Sequence, residues 1–574
     1  MKTLLSYLRP YARRMSLGFF IKVAGTMVEL FLPYILTHIL QTVVAREELA
    51  QILLWGGVMI LCAAAALICN IIANRMAAHV SRCFSQRVRQ DLFARTLRLS
   101  AAQTDRFTIP SLESRITTDT YHVHNFVGMM QRMGVRAPIL LIGGVIITLL
   151  MDPKLALAMI VLLPFIFLTV VLISKKGVPL YTRVQKSVDG MVRIVREDIQ
   201  GIRVIKALSK DEYEHRRYDA ANRTLVANEK RAGITMGVVN PVMTMLMNGG
   251  IVLAVALAAM FVSDGSSHPE TVIAFMQYFT LISMAMMSVS RIFVMYTKCA
   301  ASARRIAEVL EAPEDLTVKT TAECPPLQTS DHIVFRDVSF SYIGRKNDLT
   351  DISFSLPRGG SLGIIGATGS GKSTLIKLLL RFYDADAGSI YIDGRDLRTI
   401  EKDELYAMFG TAMQQDFLYA DTIAENIRFG RDLTQAQLEE AARIAQAHDF
   451  ITAVAEGYDR LLSQKGTNIS GGQKQRLLIA RALASDPPIL LLDDSSSALD
   501  YKTDAALRQA LAATRPHTTT ITVAQRVSSV MGCDLILVLE EGRVIGSGRH
   551  EELLATCPTY KEISDSQMGG AFLE

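Results

Sequence analysis

With 574 residues the chain has room for several domains, and 50% hydrophobic residues with a mean hydropathy of +0.25 exclude an ordinary soluble protein. A formal net charge of +5 is small for this length and gives no support to nucleic acid as a partner. Seven cysteines form no CxxC pair and no metal-ligand spacing, so they read as isolated buried or cytosolic thiols.

The chain opens with Lys2, Arg9, Arg13 and Arg14 ahead of an apolar run, an arrangement that imitates a signal peptide. No convincing small-residue cleavage site follows, and the run is long enough to span a membrane. Crossing roughly 30 Å of hydrocarbon takes about 20 apolar residues. Six stretches meet that need, near Leu17 to Leu40, Ile52 to Ala73, Val135 to Met151, Leu155 to Ile173, Met236 to Val262 and Thr271 to Met295. The segments Arg75 to Arg136 and Lys175 to Arg231 are rich in Arg and Lys, whereas Ala45 to Ala50, Met151 to Lys154 and Ser263 to Glu270 carry only Arg46 and Lys154. The positive-inside rule then puts both termini and both long segments in the cytoplasm of a multi-pass protein of the cell membrane.

Those long segments mix apolar and charged residues, which predicts helices continuing beyond the bilayer as two cytosolic arms. Pro110 and its Ser/Thr neighbours break the first arm within Asp105 to Arg115, and the second contains Gly201-Ile-Arg-Val-Ile-Lys-Ala207. Lys22, Glu29 and Arg291 are costly charges in or near the spans, open to pairing, packing or ligand contact. Methionines crowd the last two spans at Met243, Met245, Met247, Met276, Met284, Met286, Met287 and Met295. Each alone is a gap-filler; as a group they favour a small apolar or amphipathic ligand.

From Glu311 to Asp331 the apolar pattern stops, and Pro313, Pro325 and Pro326 discourage helix and central strand alike. The expected division is a transmembrane domain over 1–310, a linker over 311–331 and a second domain over 332–574. Alternation in Ile333 to Tyr342 predicts a strand ending in an aromatic. Ser361 to Ile365 reads as a short buried strand and Leu375 to Arg381 as a helix, with Gly366-Ala367-Thr368-Gly369-Ser370-Gly371-Lys372-Ser373-Thr374 between them. Glycines let successive N–H groups face one centre, and the helix N-terminus adds positive potential there, which suits polyphosphate. Lys372 would reach the β- and γ-phosphates of ATP, and Ser373 would give its hydroxyl to Mg²⁺. The bland alternative is a glycine turn that binds nothing, and the flanks on both sides weigh against it. Further on, Ile489 to Asp493 reads as a buried strand delivering the Asp493 carboxylate to the same metal.

Six spans, two cytosolic arms and this phosphate loop resemble a half-transporter of the ATP-binding-cassette (ABC) exporter type, of the multidrug or lipid class. The resemblance implies a multi-domain membrane protein. A six-helix all-α transmembrane domain with long cytoplasmic extensions would be followed by an α/β P-loop nucleotide-binding domain with a helical subdomain. It implies that the breaks in the two arms carry short coupling helices that dock on nucleotide domains. Tyr342 matches the residue that stacks on adenine. Ala412 to Leu418 resembles the glutamine loop; Gln414 aligns best and would join Ser373 and Asp493 at the metal, with Gln415 the runner-up because Met413 replaces the usual proline. Asn468 to Arg476 resembles the signature, with Ile469 in place of leucine. By that resemblance Ser470, Gly471, Gly472 and Gln473 face a γ-phosphate held by a second half-transporter subunit. Ser497 to Asp500 matches the loop that communicates between the two sites.

Two positions depart from the family at the hydrolytic centre. Asp494 stands where the family has a glutamate that polarises the attacking water, and catalysis is sensitive to errors of about 1 Å. Gln525 stands where it has a histidine, and has neither a titrating proton nor imidazole geometry. Ser463-Gln464-Lys465-Gly466 also departs, where glycine and glutamate are usual ahead of the basic residue. The expectation is therefore one subunit of a heterodimeric bacterial exporter, with a degenerate ATP site of its own and a signature that completes its partner's competent site. The rivals are a homodimeric slow exporter, an importer on the exporter fold as in siderophore systems, and an ATP-binding regulatory module.

Overall fold

The computed structural model describes residues 2–44, 48–263, 269–342, 347–414, 417–495 and 497–568. A helix that hides its apolar side chains belongs in a core, and one that displays them belongs in lipid. Helix α1 covers Ala12–His38 and α2 covers Leu49–Leu97. The most apolar 18-residue window of α2 has a mean hydropathy of 2.5, yet only 6% of it is buried, the arrangement a bilayer requires. There follow α3 (Ala101–Phe107), α4 (Thr120–Met151), α5 (Pro153–Gln200), α6 (Ile202–Ala207), α7 (Asp211–Gly237), α8 (Val239–Ser263) and α9 (Pro269–Leu310). At 49 and 48 residues, α2 and α5 are each about 70 Å long at a rise of 1.5 Å per residue, more than twice the hydrocarbon thickness.

Composition counted six spans; among the described residues only four helical stretches are long and apolar enough to cross a membrane. They are Thr3–Val43, Leu49–Leu97, Ile109–Met151 and Thr271–Leu310. The other two expected spans, Leu155 to Ile173 and Met236 to Val262, fall on α5 and α8 and do not qualify. In α8 the described apolar stretch is Thr244–Leu257, and several further side chains of this helix lie outside the described residues. In α5 the stretch carries Pro164 and runs into Lys175 and Lys176, and several of its side chains lie outside the described residues. The six-helix expectation is corrected to four helical stretches that are both long and apolar enough to cross a membrane among the described residues.

The chain divides into two compact units, Met1–Arg98 with Thr108–Ala312, and Leu99–Phe107 with Pro313–Glu574. In the first, glycines permit close helix approach. A Cβ on Gly143 would meet Leu30 at 2.6 Å, and one on Gly144 would meet Ile282 at 2.8 Å, so α1 and α9 both lie tight against α4. The buried Tyr278 hydroxyl donates to Leu30 O at 2.7 Å. The charges singled out in α1 are partnered: Lys22 Nζ donates to Asn70 Oδ1 at 2.6 Å and Asn74 Oδ1 at 3.2 Å, and Arg136 Nε donates to Glu29 Oε2 at 3.2 Å. Of the methionines, Met286 is buried while Met245, Met276 and Met284 are exposed; the side chains of Met243 and Met247 lie outside the described residues.

In the second unit, β1 (Ile333–Phe340), β2 (Leu349–Leu356), β4 (Ala387–Ile392) and β5 (Arg395–Asp396) form an antiparallel sheet in the order β2-β1-β4-β5. A second sheet runs β10-β9-β3-β8-β7-β6, built from β3 (Ser361–Gly366), β6 (Phe409–Ala412), β7 (Ile489–Asp493), β8 (Thr519–Val523), β9 (Leu535–Glu540) and β10 (Arg543–Gly548). Its strands are parallel apart from the β10 edge, and the continuous burial of β7 fits a sheet covered on both faces. One apolar core lies between the two sheets around Phe335, Leu375 and Leu491, and a separate one lies in the helical subdomain around Ile427, Leu438 and Leu478. Helix α3 counts with this unit: Ser100 Oγ donates to Asp315 Oδ2 at 2.6 Å, Gln103 Nε2 to Pro313 O at 2.6 Å, and the Tyr383 hydroxyl to Asp105 Oδ2.

Candidate functional site

Sheet register assembles the site. Ile364 of β3 and Asp493 of β7 both pair with Val523 of β8, so three parallel strands end at one level. Ligands bind beyond the carboxyl ends of such strands. There the chain turns from Gly366 into helix α10 (Lys372–Leu379). Gly371 takes φ +102°, and a Cβ on it would strike Leu349 at 2.6 Å, so no other residue fits that turn. A Cβ on Gly366 would lie 2.1 Å from Leu539 O, which fixes the loop against β9.

A cavity of about 420 Å³ opens here, lined by Thr368, Lys372, Ser373, Gln414, Asp493 and Gln525 among others. Lys372 Nζ donates to the carbonyls of Gly366 and Ala367, both at 2.8 Å, so its ammonium is folded over the loop. Burial pushes its pKa down, with Asp494 and Asp493 opposing. Burial pushes the Asp493 carboxyl up; the Ser373 hydroxyl, 3.5 Å from Oδ1, opposes this, and Asp494 adds to it. The Ser370 hydroxyl is buried without a hydrogen-bond partner, an orphan beneath the loop. An ammonium resting on carbonyls, a hydroxyl beside a buried carboxylate and glycine-shaped backbone fit a magnesium polyphosphate. Lys372 would hold phosphate, and Ser373 with Asp493 would hold Mg²⁺, which when bound neutralises charge on the phosphates.

The other expected residues divide. Asp494 adopts φ +50°, a left-handed conformation that Asp tolerates, and its N–H donates to Val523 O at 2.9 Å. Gln525 Nε2 donates to Asp494 Oδ2 at 2.9 Å, and Gln414 Nε2 lies 3.4 Å from the same oxygen. Gln415 lies outside the described residues. Tyr342 stands outside the set that lines the cavity; its hydroxyl lies 3.4 Å from Thr374 Oγ1, and its ring packs edge-on to Tyr383 at 5.1 Å. Ser470, Gly471, Gly472 and Gln473 are not among the cavity's lining residues. Ser470 caps helix α11 (Gly471–Leu483) through a capping box with Gln473, and Ser470 and Gly471 are exposed. Sequence reading missed Asn347, Asp348, Glu541 and Gly542 in the cavity wall; these belong to loops whose sequences carry no motif.

Comparison with known proteins gives the family. Residues 15–286 match the ABC transporter transmembrane region and residues 349–497 the ABC transporter family. The chain is 35% identical over 573 residues to the uncharacterized ABC transporter ATP-binding protein YfiB of Bacillus subtilis, covering 99% of each chain. It is 32% identical to Rv1273c of Mycobacterium tuberculosis, an uncharacterized ABC transporter ATP-binding protein, over 98% of this chain and 97% of that one. Among solved structures it resembles a bacterial Atm1-family ABC exporter with ATP bound, with TM-score 0.81, 24% identity, and coverage of 97% of this chain and 98% of that one.

Proposed function

Because this chain belongs to the ABC transporter family, a multi-pass membrane protein that couples ATP hydrolysis to movement of a substrate across the bilayer, we propose that it is an exporter subunit whose own site grips Mg²⁺-ATP and cuts it slowly. The observation that carries the proposal is Asp494 Oδ2, which already accepts from Gln525 beside an intact phosphate loop. A base that positions water needs a free lone pair aimed at that water, and two amides that cannot accept a proton crowd this one. Gly366 to Thr374 would bind the phosphates, Tyr342 the adenine, and Gln414 would complete the metal shell with Ser373 and Asp493. Closure would reach the spans, with both termini cytoplasmic, through α3 and α6; the exposed Ile202, Val204 and Leu208 support docking of α6 on another subunit's nucleotide domain. The substrate would be small and apolar or amphipathic, and the domains would part along the 311–331 linker.

Two assemblies fit. A self-pairing slow exporter is supported by the motifs of the chain itself: each copy carries both a phosphate loop and a signature, so a second copy would complete two sites. Pairing with an unlike subunit is favoured by Asp494 and Gln525, since a partner with glutamate and histidine would supply faster hydrolysis than this chain's own site. The test is to reconstitute the purified chain alone in vesicles and measure flux of a lipophilic dye with ATP. Slow outward flux supports self-pairing. Flux that needs a second chain supports unlike pairing. Inward flux, or ligand-dependent ATP binding without flux, refutes the exporter reading.

A further inference from the structure

The last described helix, α12 (Pro558–Met568), reaches back to the site. The carboxamide of Gln567 accepts from the Val527 N–H at 2.8 Å and donates from Nε2 to the Gln525 carbonyl at 2.8 Å. Two bonds of opposite sense from one planar amide read the backbone on either side of Arg526 as a neighbouring strand would. The chain needs such a partner at this point. The Ala524 N–H still donates to Ile364 O at 3.1 Å; beyond it the chain leaves β8, and the Arg526 guanidinium turns away to lie over the Tyr501 ring at 4.9 Å. The helix does not depend on Gln567 for its seat. Tyr560 is fully buried, its hydroxyl 2.7 Å from His550 Nδ1, and Ile563 packs on the cluster that contains Val527, Val530 and Leu553.

We propose that Gln567 is a positioning residue for the switch at Gln525. By fixing the carbonyl of Gln525 and the N–H two residues later, it fixes the origin of the Gln525 side chain, whose amide then meets Asp494 and faces the cavity. Nothing else in the chain places a side-chain amide across that stretch of backbone among the described residues. The C-terminal helix thereby sets how firmly this site retains nucleotide. The inference rests on the reading of this chain's own site as one that holds Mg²⁺-ATP.

The experiment uses the full-length chain in lipid nanodiscs with Mg²⁺ and trinitrophenyl-ATP as the probe, followed by release after dilution into ATP. Gln567→Ala should speed release about fivefold to tenfold, the loss expected for one or two backbone hydrogen bonds. Gln567→Glu should do at least as much, because a carboxylate can accept from Val527 but cannot donate to Gln525. Asp565→Ala on the same helix should leave release unchanged. Amide exchange over residues 524–530 should rise in both Gln567 variants at unchanged Tm, which a role confined to helix packing would not produce. Release within twofold of the wild type in both folded variants, or no change in exchange at Val527, would overturn the proposal. Turnover of the unmutated protein reports separately on slow hydrolysis: fast turnover refutes that reading and leaves the ratio between variants and wild type to judge Gln567.

Discussion

Gln525 Nε2 donates to Asp494 Oδ2 across 2.9 Å, so the two residues that depart from the family pattern at the hydrolytic centre are bonded to each other. The pair closes on itself where a base would need to face water. Asp494→Glu with Gln525→His should raise phosphate release at this site at least tenfold, and Asp494→Glu alone should raise it less. Equal, unchanged rates in both variants would place the limit elsewhere, for instance in the signature that faces this site.

Among the described residues that line the cavity Lys372 carries the one ammonium, and it rests on two loop carbonyls that phosphate oxygens would replace. Lys372→Ala should lower Mg²⁺-ATP affinity about a hundredfold. At nucleotide one hundred times the wild-type Kd, binding stabilises the protein by about 2.7 kcal/mol. The variant should lose most of that ATP-dependent rise in Tm while keeping the nucleotide-free Tm.

Asp105 of α3 accepts from the Tyr383 hydroxyl, and Tyr383 in turn packs on Tyr342. Burial first, and Asp105 second, push the Tyr383 phenol well above its usual range, so it is a donor at every working pH. Tyr383→Phe keeps the ring contact and loses the bond. It should leave ATP affinity within twofold and cut substrate-stimulated ATPase severalfold. Asp105→Asn on top of it should add little, with a coupling of about 1 kcal/mol in the double-mutant cycle.

His332 is buried, with Nδ1 2.6 Å from Thr519 Oγ1. Burial pushes its pKa down, more than Asp393 at 3.8 Å pushes it up, and Arg358 is already bonded to that carboxylate. The unfolded chain takes a proton near pH 6.5 while the folded chain resists it. Stability is therefore full above about pH 6.5 and falls as pH drops below it, by at most about 1.4 kcal/mol per pH unit, until the depressed folded pKa is reached. Tm measured from pH 7.5 to 5.5 should fall, and His332→Gln should flatten that slope.

What sequence reading could see was local. The glycines at 366, 369 and 371, the lysine after them and the buried strand ending at Asp493 are short-range patterns whose physics fits inside a dozen residues, and Gly369, Gly371, Lys372 and Asp493 line one cavity. Counting apolar residues gave six spans because composition does not say how each apolar run sits in its helix: among the described residues four helical stretches are long and apolar enough, and the apolar run Leu155 to Ile173 forms only the first part of a helix that continues to Gln200. Gln567 and Gln525 are 42 residues apart, and Tyr383 and Asp105 are 278 apart, so neither pairing leaves a spacing to read. The left-handed turn at Asp494 was equally hidden, since nothing in Asp493-Asp494-Ser495 demands it.

The central claim is that this chain's site holds ATP longer than it cuts it. The direct measurement is the fate of radiolabelled ATP bound to the purified chain with Mg²⁺ and no second subunit. The account expects the retained nucleotide to remain largely ATP over minutes, with steady turnover well below the roughly 10 s⁻¹ of a typical enzyme. Bound label converted to ADP within seconds, with turnover near that typical rate, would contradict it.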